Sequence, residues 1–237
     1  MMNNFVKLPN KTVWSNEGNL IKQFQNPLLP SVLISLEGFV NNRGNCVFTL
    51  EDLIIDCGFK LSKKKGETND KFKSLLTDLQ VQGIIEYDRN FLEIKPKDHV
   101  NCKYHGFDTD DEFFSITYED YDEIKGNAND VNIFCYLNSR FNHGQEHLFC
   151  YPSVRTISED LGIQIKTVEA SLKRLSDKEM IFYDKVGYLK DDKKECVNVY
   201  STTLEGLSIG LRSSKEYYAK KYGEENIVFN KNLCISR

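Results

Sequence analysis

The sequence has no long apolar run, no signal-peptide pattern and no excess of positive charge. Its apolar segments are far shorter than the roughly 18 residues that a membrane-spanning helix requires. The first residues, MMNNFVKLPN, lack the basic start and apolar centre of a secretory signal. We therefore expect a cytoplasmic protein that does not associate with membranes.

Cysteine pairs at metal-ligand spacing are also lacking. The seven cysteines are scattered and include no CxxC, which argues against a disulfide framework and against a zinc ribbon. His143 and His147 have the HxxxH spacing of a zinc site, and Cys150 is close by. However, Gly144 and the neighbouring strand pattern indicate a loop, and no fourth ligand is evident. We predict no metal site.

Several motifs of enzymes are absent as well. The sequence contains neither a GxxxxGK[ST] phosphate loop nor a GxSxG nucleophile motif, and it shows no array of metal ligands suited to nuclease chemistry. We expect a protein that is not an enzyme and that binds no cofactor or small molecule. The alternative of a nuclease or primase would require metal-dependent turnover.

The net charge of −4 is unusual for a nucleic-acid-binding protein, because such proteins are mostly basic. The charge is unevenly distributed, however. Residues 60–73 are rich in lysine, whereas residues 108–123 contain many acids and no Lys or Arg. Binding depends on local patches, so an acidic total is compatible with a basic surface.

The length of 237 residues is sufficient for two domains of about 100 residues each. A hydrophobic content of 40% and a charged content of 28% are typical of globular proteins. We predict the following organisation: a first domain over residues 1–98, a polar linker over 99–111, a second domain over 112–205, and a basic Tyr-rich helix with a tail over 206–237.

Residues 151–184 contain the most informative pattern. Pro152 and Ser153 open a short helix that Gly162 ends, and a second helix follows over about residues 165–177. Val168, Leu172 and Leu175 share one face of this second helix. Residues 180–183 then have the character of a strand, with a wing extending to Tyr200. Two short helices around a glycine turn, followed by a hairpin, are typical of a winged helix-turn-helix.

A similar order of elements precedes this stretch. The predicted elements are strands at 5–8, 46–48 and 113–116, helices at about 30–40, 50–57, 70–82 and 130–141, and a hairpin of 84–87 with 91–94. Thr49 and Asp52 have the spacing of a capping box at the start of the second of these helices. Gly58 ends that helix.

The two stretches align with each other. When Leu79 is placed on Leu175, the residues Ile85, Tyr87 and Asp88 coincide with Ile181, Tyr183 and Asp184. Gly58 aligns with Gly162 when the longer loop at 60–69 is treated as an insertion. These matches predict an α+β protein with two tandem winged helix-turn-helix domains related by internal duplication.

In a winged helix, residues early in the second helix face the major groove. The candidates for contacts with base edges are Gln164, Lys166, Thr167 and Ala170, since glutamine can pair with adenine and a methyl group can touch thymine. The candidates for phosphate contacts are Lys173, Arg174 and Arg155. The alternative is a winged helix used for protein contacts, with a solvated surface of mixed charge.

The first copy is less basic at the corresponding place, where Thr77 and Asp78 replace Lys173 and Arg174. Its candidates for phosphate contacts are Lys63, Lys64, Lys65, Lys71, Lys73 and, at the tip of the predicted wing, Arg89. The second wing has Lys185, Lys190, Lys193 and Lys194. The alternatives are that the lysine run is a solvated loop and that the first domain forms a dimer.

The sequence of residues 151–163, together with residues 166–175, resembles the helix-turn-helix proteins of Gram-positive plasmids, phages and conjugative elements. With the repeat, the architecture is similar to that of the tandem winged-helix replication initiators of plasmids. The resemblance implies two pseudo-symmetric winged helices that bind repeated origin sequences, one of which can also mediate dimerisation. We expect a sequence-specific protein that binds double-stranded DNA in replication initiation or transcriptional control.

A second hypothesis is a protein-interaction adaptor. In this case the winged helices would dock on a protein of a replication or partitioning complex. The basic, Tyr-rich helix at about residues 215–222 would then be a further docking element.

Overall fold

The computed structural model describes residues 4–15, 18–62, 64–107, 112–141, 148–191 and 196–230. The chain is mixed α+β, with antiparallel sheets of two or three strands. It divides into two compact units: Met1–Ser139 with Asp160–Gly162, and Arg140–Glu159 with Ile163–Arg237. Within the described ranges, no helix is long and apolar enough to cross a membrane.

The first unit contains the elements from the N-terminus to the helix before residue 141. Its strands are β1 (Phe5–Pro9), β2 (Asn45–Thr49), β3 (Ile85–Glu86), β4 (His99–Tyr104) and β5 (Phe113–Thr117). Its helices are α1 (Leu20–Phe24), α2 (Leu29–Phe39), α3 (Leu50–Asp56), α4 (Thr68–Val81), α5 (Tyr118–Ile124) and α6 (Ala128–Arg140), whose last residue belongs to the second unit.

Two antiparallel sheets form in this unit. One has the order β2-β4-β3, with Cys46 opposite Cys102 in the register of β2 and β4. The other pairs β1 with β5, and Val6 lies opposite Ile116. In both sheets the apolar side chains alternate with exposed ones, so each strand buries one face.

The helices of the first unit follow from local signals in the sequence. The Thr49 side chain accepts a hydrogen bond from the Asp52 amide at 3.0 Å, and the Asp52 carboxylate accepts one from the Thr49 amide at 3.2 Å. This confirms the predicted capping box at the start of α3. Phe72, Leu75, Leu76 and Leu79 of α4 are all buried, as their helical spacing predicts.

The predicted hairpin of residues 84–87 with 91–94 is wrong. β3 pairs with β4 instead, and residues Phe91–Glu93 form a 3₁₀ turn. The Asn90 side chain accepts a hydrogen bond from the Leu92 amide at 3.0 Å and caps this turn. Phe91 is buried against the Tyr87 ring, with the ring centroids 4.6 Å apart. The cap and the ring contact therefore fold the segment inward where a strand was expected.

The predicted linker at 99–111 begins with the central strand of the first sheet, β4. The following strand, β5, pairs with β1 and belongs to the first unit. The division between the units therefore differs from the predicted boundaries at 98 and 112, since pairing between distant strands holds residues 99–139 in the first unit.

The second unit contains the remaining elements. These are β6 (Phe149–Cys150), α7 (Val154–Leu161), α8 (Ile165–Asp177), β7 (Phe182–Lys185), β8 (Gly187–Leu189), β9 (Asn198–Ser201), α9 (Leu204–Tyr222) and β10 (Ile227–Phe229). The residues Asp160–Gly162 at the end of α7 are grouped with the first unit. The predicted bounds of α8 agree with the observed ones.

The main sheet of the second unit has the order β6-β9-β7, with β9 antiparallel to both neighbours. Tyr200 is buried at the centre of this sheet and its ring stacks on that of Tyr183 at 5.7 Å. The predicted wing at 183–200 also includes β8, which pairs with β10. The sequence carried no clear signal for β10.

The helix α9 packs closely on the main sheet. A Cβ atom on Gly206 would lie 2.4 Å from the Ser201 hydroxyl, and one on Gly210 would lie 2.6 Å from Val199. These glycines therefore allow the helix to approach the strands. The predicted boundary at residues 205 and 206 falls inside α9, which is an integral part of the second unit. Gly223 ends the helix, as predicted.

The same order of elements occurs twice in the chain. The series β2, α3, α4, β3 and β4 is followed later in the chain by β6, α7, α8, β7 and β9, with β8 inserted between β7 and β9. In each case the last strand lies between the first strand and the one that follows the second helix.

The helix ends match as well. Gly83 after α4 and Glu179 after α8 both have a left-handed backbone, with φ of 71° and 58°. Both helices end in the paired hydrogen bonds of a Schellman motif. The bonds are Gly83 N to Gln80 O at 3.0 Å, Ile84 N to Leu79 O at 3.0 Å, Glu179 N to Ser176 O at 2.9 Å and Met180 N to Leu175 O at 2.9 Å.

We predict that Glu179→Gly raises the free energy of unfolding by about 0.5 kcal/mol. Relief of the left-handed strain, about 1–2 kcal/mol, exceeds the entropy that glycine adds to the unfolded chain, about 0.4–1 kcal/mol. Denaturant unfolding measures the difference. Glu179→Gln is the control, because it removes the charge and keeps the backbone strain. A loss of stability in the glycine variant would contradict the left-handed backbone conformation of Glu179.

Candidate functional site

The turn between α7 and α8 is fixed by several short-range interactions. The Ser153 hydroxyl accepts a hydrogen bond from the Thr156 amide at 2.9 Å and caps the start of α7. Gly162 ends the helix with φ of 68°. The Ser158 hydroxyl donates to the Ile163 carbonyl oxygen at 2.6 Å, and the Ile163 amide donates to the Ser158 carbonyl at 3.1 Å. These bonds set where α8 begins.

One face of α8 is buried and the opposite face is exposed. Val168, Leu172 and Leu175 are buried, and Ser171 is buried beside them. The helical spacing then places Lys166, Ala170, Lys173 and Asp177 along the centre of the outward face, and all of these are exposed. Ala170 is the smallest side chain of this row, so another surface can approach the helix between the lysines.

The remaining predicted contacts of α8 lie at the edges of this outward face. Gln164 is exposed, occupies the N-cap position and makes no capping hydrogen bond with its side chain. Thr167 is half-buried. Arg174 is half-buried, and its guanidinium donates to the hydroxyl of buried Ser171 at 2.8 Å. The structure thus brings the predicted α8 residues together on one surface, which we call the α8 face (Gln164, Lys166, Thr167, Ala170, Lys173 and Arg174).

Arg155 on α7 is exposed and paired with an acid. Its Nε lies 2.8 Å from a carboxylate oxygen of Glu159, one turn further along the helix. This carboxylate raises the pKa of the Arg155 guanidinium and offsets its charge. The net charge that Arg155 presents on α7 is therefore small.

In the first unit, the predicted lysines are divided between a loop and α4. Lys64 lies 3.8 Å from Glu67, and Lys65 is exposed. Lys71 is exposed on α4, and the Lys73 ammonium donates to the Leu92 carbonyl oxygen at 3.3 Å. Lys63 lies outside the described residues.

The outward surface of α4 also differs from that of α8, although α8 has exposed acids of its own in Glu169 and Asp177. Asp78 occupies the position that corresponds to Arg174, and burial raises the pKa of its carboxyl group. Val81 in the last turn of α4 is 77% exposed. This helix therefore presents a less basic and more apolar surface than α8.

Arg89 does not lie at the free tip of a wing. Its guanidinium donates to the Tyr87 hydroxyl at 2.6 Å and to the His99 carbonyl oxygen at 3.4 Å, and it lies 5.4 Å from the centre of the Tyr87 ring. The prediction that Arg89 lies at a hairpin tip is therefore wrong. The segment after Asn90 forms a 3₁₀ turn, so there is no hairpin at this place.

The lysines of the predicted second wing are similarly divided. Lys185 ends β7 and is exposed, and the Lys190 ammonium donates to the Glu225 carbonyl oxygen. Lys193 and Lys194 lie outside the described residues.

The predictions about metals concern residues that the structure covers only in part. His143 and His147 lie outside the described residues. Cys150 is buried, and this burial raises the pKa of its thiol, so the thiol stays protonated. Among the residues that the structure describes, no group of His, Cys, Asp and Glu side chains is placed to hold a metal ion.

Comparison with protein-family models, with curated proteins and with solved structures found no match to this chain.

The sequence does not predict that tyrosines from two separate segments line one cleft. Tyr151, directly after β6, lines a cleft together with Tyr217 and Tyr218 of α9. Tyrosines were recognised in the C-terminal helix, but nothing local predicts that a residue before α7 faces them. Their place in one cleft depends on how α9 packs against the sheet.

We predict that Gln164→Ser raises the free energy of unfolding by about 0.5–1 kcal/mol, because serine accepts a hydrogen bond from the first turn of α8 and glutamine does not. The backbone at this position is already extended, with φ of −61° and ψ of 141°. Thermal unfolding compares this variant with Gln164→Ala, which cannot cap the helix. Equal stability of the two variants would show that residue 164 is not the N-cap.

Proposed function

We propose that this chain is a sequence-specific, double-stranded DNA-binding protein with two tandem winged helix-turn-helix domains. The single observation that carries this proposal is the α8 face, an exposed surface with basic groups on a helix whose other side is anchored by buried Val168, Leu172 and Leu175. The second helix of a winged helix-turn-helix enters the major groove of DNA.

The order of elements from β6 to β9 supports this assignment. A short strand, two helices around a glycine turn and two further strands, with the last strand central, are the elements of a winged helix-turn-helix. The first unit repeats this order, and the Schellman motifs after α4 and α8 agree with the alignment of Leu79 and Leu175. These repeats support an internal duplication.

The proposed mechanism is recognition without covalent chemistry. Lys173 and Arg174 contact phosphates and set the register of the protein on the duplex. Gln164, Lys166, Thr167 and Ala170 lie nearer the start of α8 and contact the edges of the bases. Ala170 allows the helix backbone to approach the groove between the lysines.

The two units have different roles in this proposal. The α8 face reads DNA, whereas α4 has Thr77 and Asp78 in place of the late basic pair. The first unit either adds phosphate contacts through Lys64, Lys65 and Lys71 or joins a second copy of the chain. The resemblance to initiators of mobile elements supports a role in replication initiation or transcriptional control, in the cytoplasm.

A protein-interaction adaptor is the second candidate, and the apolar surface of the first unit favours it. Several large apolar residues of this unit are exposed, among them Val47, Ile55, Val81 and Leu92. Where such groups form a contiguous patch, they mark a protein contact. An adaptor for a replication or partitioning complex would show no affinity of the unmodified chain for duplex DNA.

We predict that Lys173→Ala combined with Arg174→Ala weakens binding to every duplex and lowers the slope of log affinity against log salt by about 1 for each lost contact. Binding is measured by fluorescence anisotropy over a series of salt concentrations. Because Arg174 bonds to Ser171, Lys166→Ala with Lys173→Ala is a second variant whose altered side chains are both exposed.

The matched control is Lys22→Ala with Lys97→Ala, which removes the same positive charge from exposed positions of the first unit. Thermal unfolding verifies that each variant is folded. If both α8 variants keep the affinity and salt slope of the unmodified chain, the α8 face is not the DNA-binding surface.

A further inference from the structure

A cleft of about 430 Å³ lies in the second unit, between α9 and the segments next to β6 and β9. Its volume is within the range of about 300–1,000 Å³ that small-molecule sites occupy. The residues that line it are Tyr151, Val197, Ser213, Ser214, Tyr217 and Tyr218. The cleft is separate in sequence from the α8 face and shares no residue with it.

Tyr151 and Tyr217 place aromatic surface at the opening of the cleft. They are 52% and 57% exposed, respectively. The Tyr217 ring is perpendicular to the Tyr218 ring, with the centroids 5.5 Å apart. Two interactions fix the position of Tyr218. Its hydroxyl accepts a hydrogen bond from the Val197 amide at 3.3 Å, and its ring stacks on the Tyr222 ring with the centroids 5.9 Å apart. The cleft therefore has a fixed aromatic wall and two exposed rings.

The last turn of α9 places positive charge beside this aromatic surface. The Lys221 ammonium lies 3.3 Å from the Tyr217 hydroxyl and 5.5 Å from the centre of its ring. Lys220 is exposed next to it. The charged residues from 212 to 222 are Arg212, Lys215, Glu216, Lys220 and Lys221. The C-terminal half of the helix is therefore basic, and the pairing of Lys215 with Glu224 at 3.9 Å offsets part of this charge.

Aromatic rings next to lysines are the combination that binds single-stranded nucleic acid. The rings stack on bases of any sequence, and the cations attract the phosphates. Bases inside a duplex are already stacked on each other, so their faces cannot reach a tyrosine unless they are unpaired. The combination of exposed rings and positive charge thus favours an unpaired strand over a duplex.

We propose that this cleft binds unpaired bases of single-stranded DNA. Tyr151 and Tyr217 stack on the bases, Lys220 and Lys221 contact the phosphates, and the Ser213 hydroxyl is available to hydrogen-bond a base edge. This site goes beyond the proposed duplex binding; only the choice of DNA over RNA rests on that proposal, and the stacking and phosphate contacts do not. A chain with both sites would hold a duplex on α8 and a separated strand on α9.

The test uses the full chain and a fluorescein-labelled oligothymidylate of about 12 nucleotides, a length within the usual range of single-stranded sites. Tyr151→Ala with Tyr217→Ala is expected to weaken binding of this oligonucleotide by at least about fivefold, because stacking on an aromatic ring contributes about 1–3 kcal/mol per base. Affinity for a duplex of the same length is expected to change by less than about twofold.

Two further variants separate stacking from other effects. Tyr217→Phe keeps the ring and is expected to retain the affinity for oligothymidylate. Lys220→Ala with Lys221→Ala is expected to make the affinity for oligothymidylate depend less on salt concentration. Tyr188→Ala is the matched control, because Tyr188 is exposed on β8 and does not line the cleft. Thermal unfolding verifies the fold of each variant.

Three results would overturn the proposal: no binding of oligothymidylate by the unmodified chain, unchanged affinity in the folded double tyrosine variant, or tighter binding of oligouridylate than of oligothymidylate. Loss of duplex binding in the α8 variants with oligothymidylate binding retained supports two separate sites. If the unmodified chain binds oligothymidylate but no duplex, the proposed function fails while the single-strand site stands.

Discussion

The rotation of α8 about its own axis determines which side chains this protein can offer to a partner. Val168, Leu172 and Leu175 are almost completely buried, so turning the helix would return their apolar surface to water at about 25 cal/mol for each Å² exposed. The hydrogen bonds between Ser158 and Ile163 fix the start of the helix. Lys166, Ala170 and Lys173 therefore face outward as a consequence of packing on the other side.

The first unit repeats this frame with a different surface. Its α4 buries the corresponding apolar residues and ends in the same Schellman motif, but it presents Asp78 where α8 presents Arg174. Val81 extends an exposed apolar group from its last turn. Similar frames with different surfaces fit a division of roles, since function depends on the exposed site and not on the fold alone.

Local signals in the sequence predicted most of the helices, because apolar spacing, caps and glycine stops act within a few residues. The observed bounds of α8 agree with the prediction, and the capping box at Thr49 is present. What depended on distant pairing was not predicted. β4 has polar residues on its exposed face, which favour a linker, and the pairing of β8 with β10 joins remote segments. Tyr151 and Tyr217 line one cleft only after α9 has packed. The α8 face could be predicted because all its residues share one helix.

Lysine-modification footprinting on a bound duplex tests the central role of α8 most directly. At low salt a duplex of arbitrary sequence is suitable, since contacts with phosphates do not depend on sequence. Mass spectrometry compares the reactivity of each lysine with and without DNA. We predict that Lys166 and Lys173 lose reactivity while Lys22 and Lys97, exposed on the first unit, keep theirs. Unchanged reactivity of Lys166 and Lys173 in the presence of saturating duplex would contradict the account.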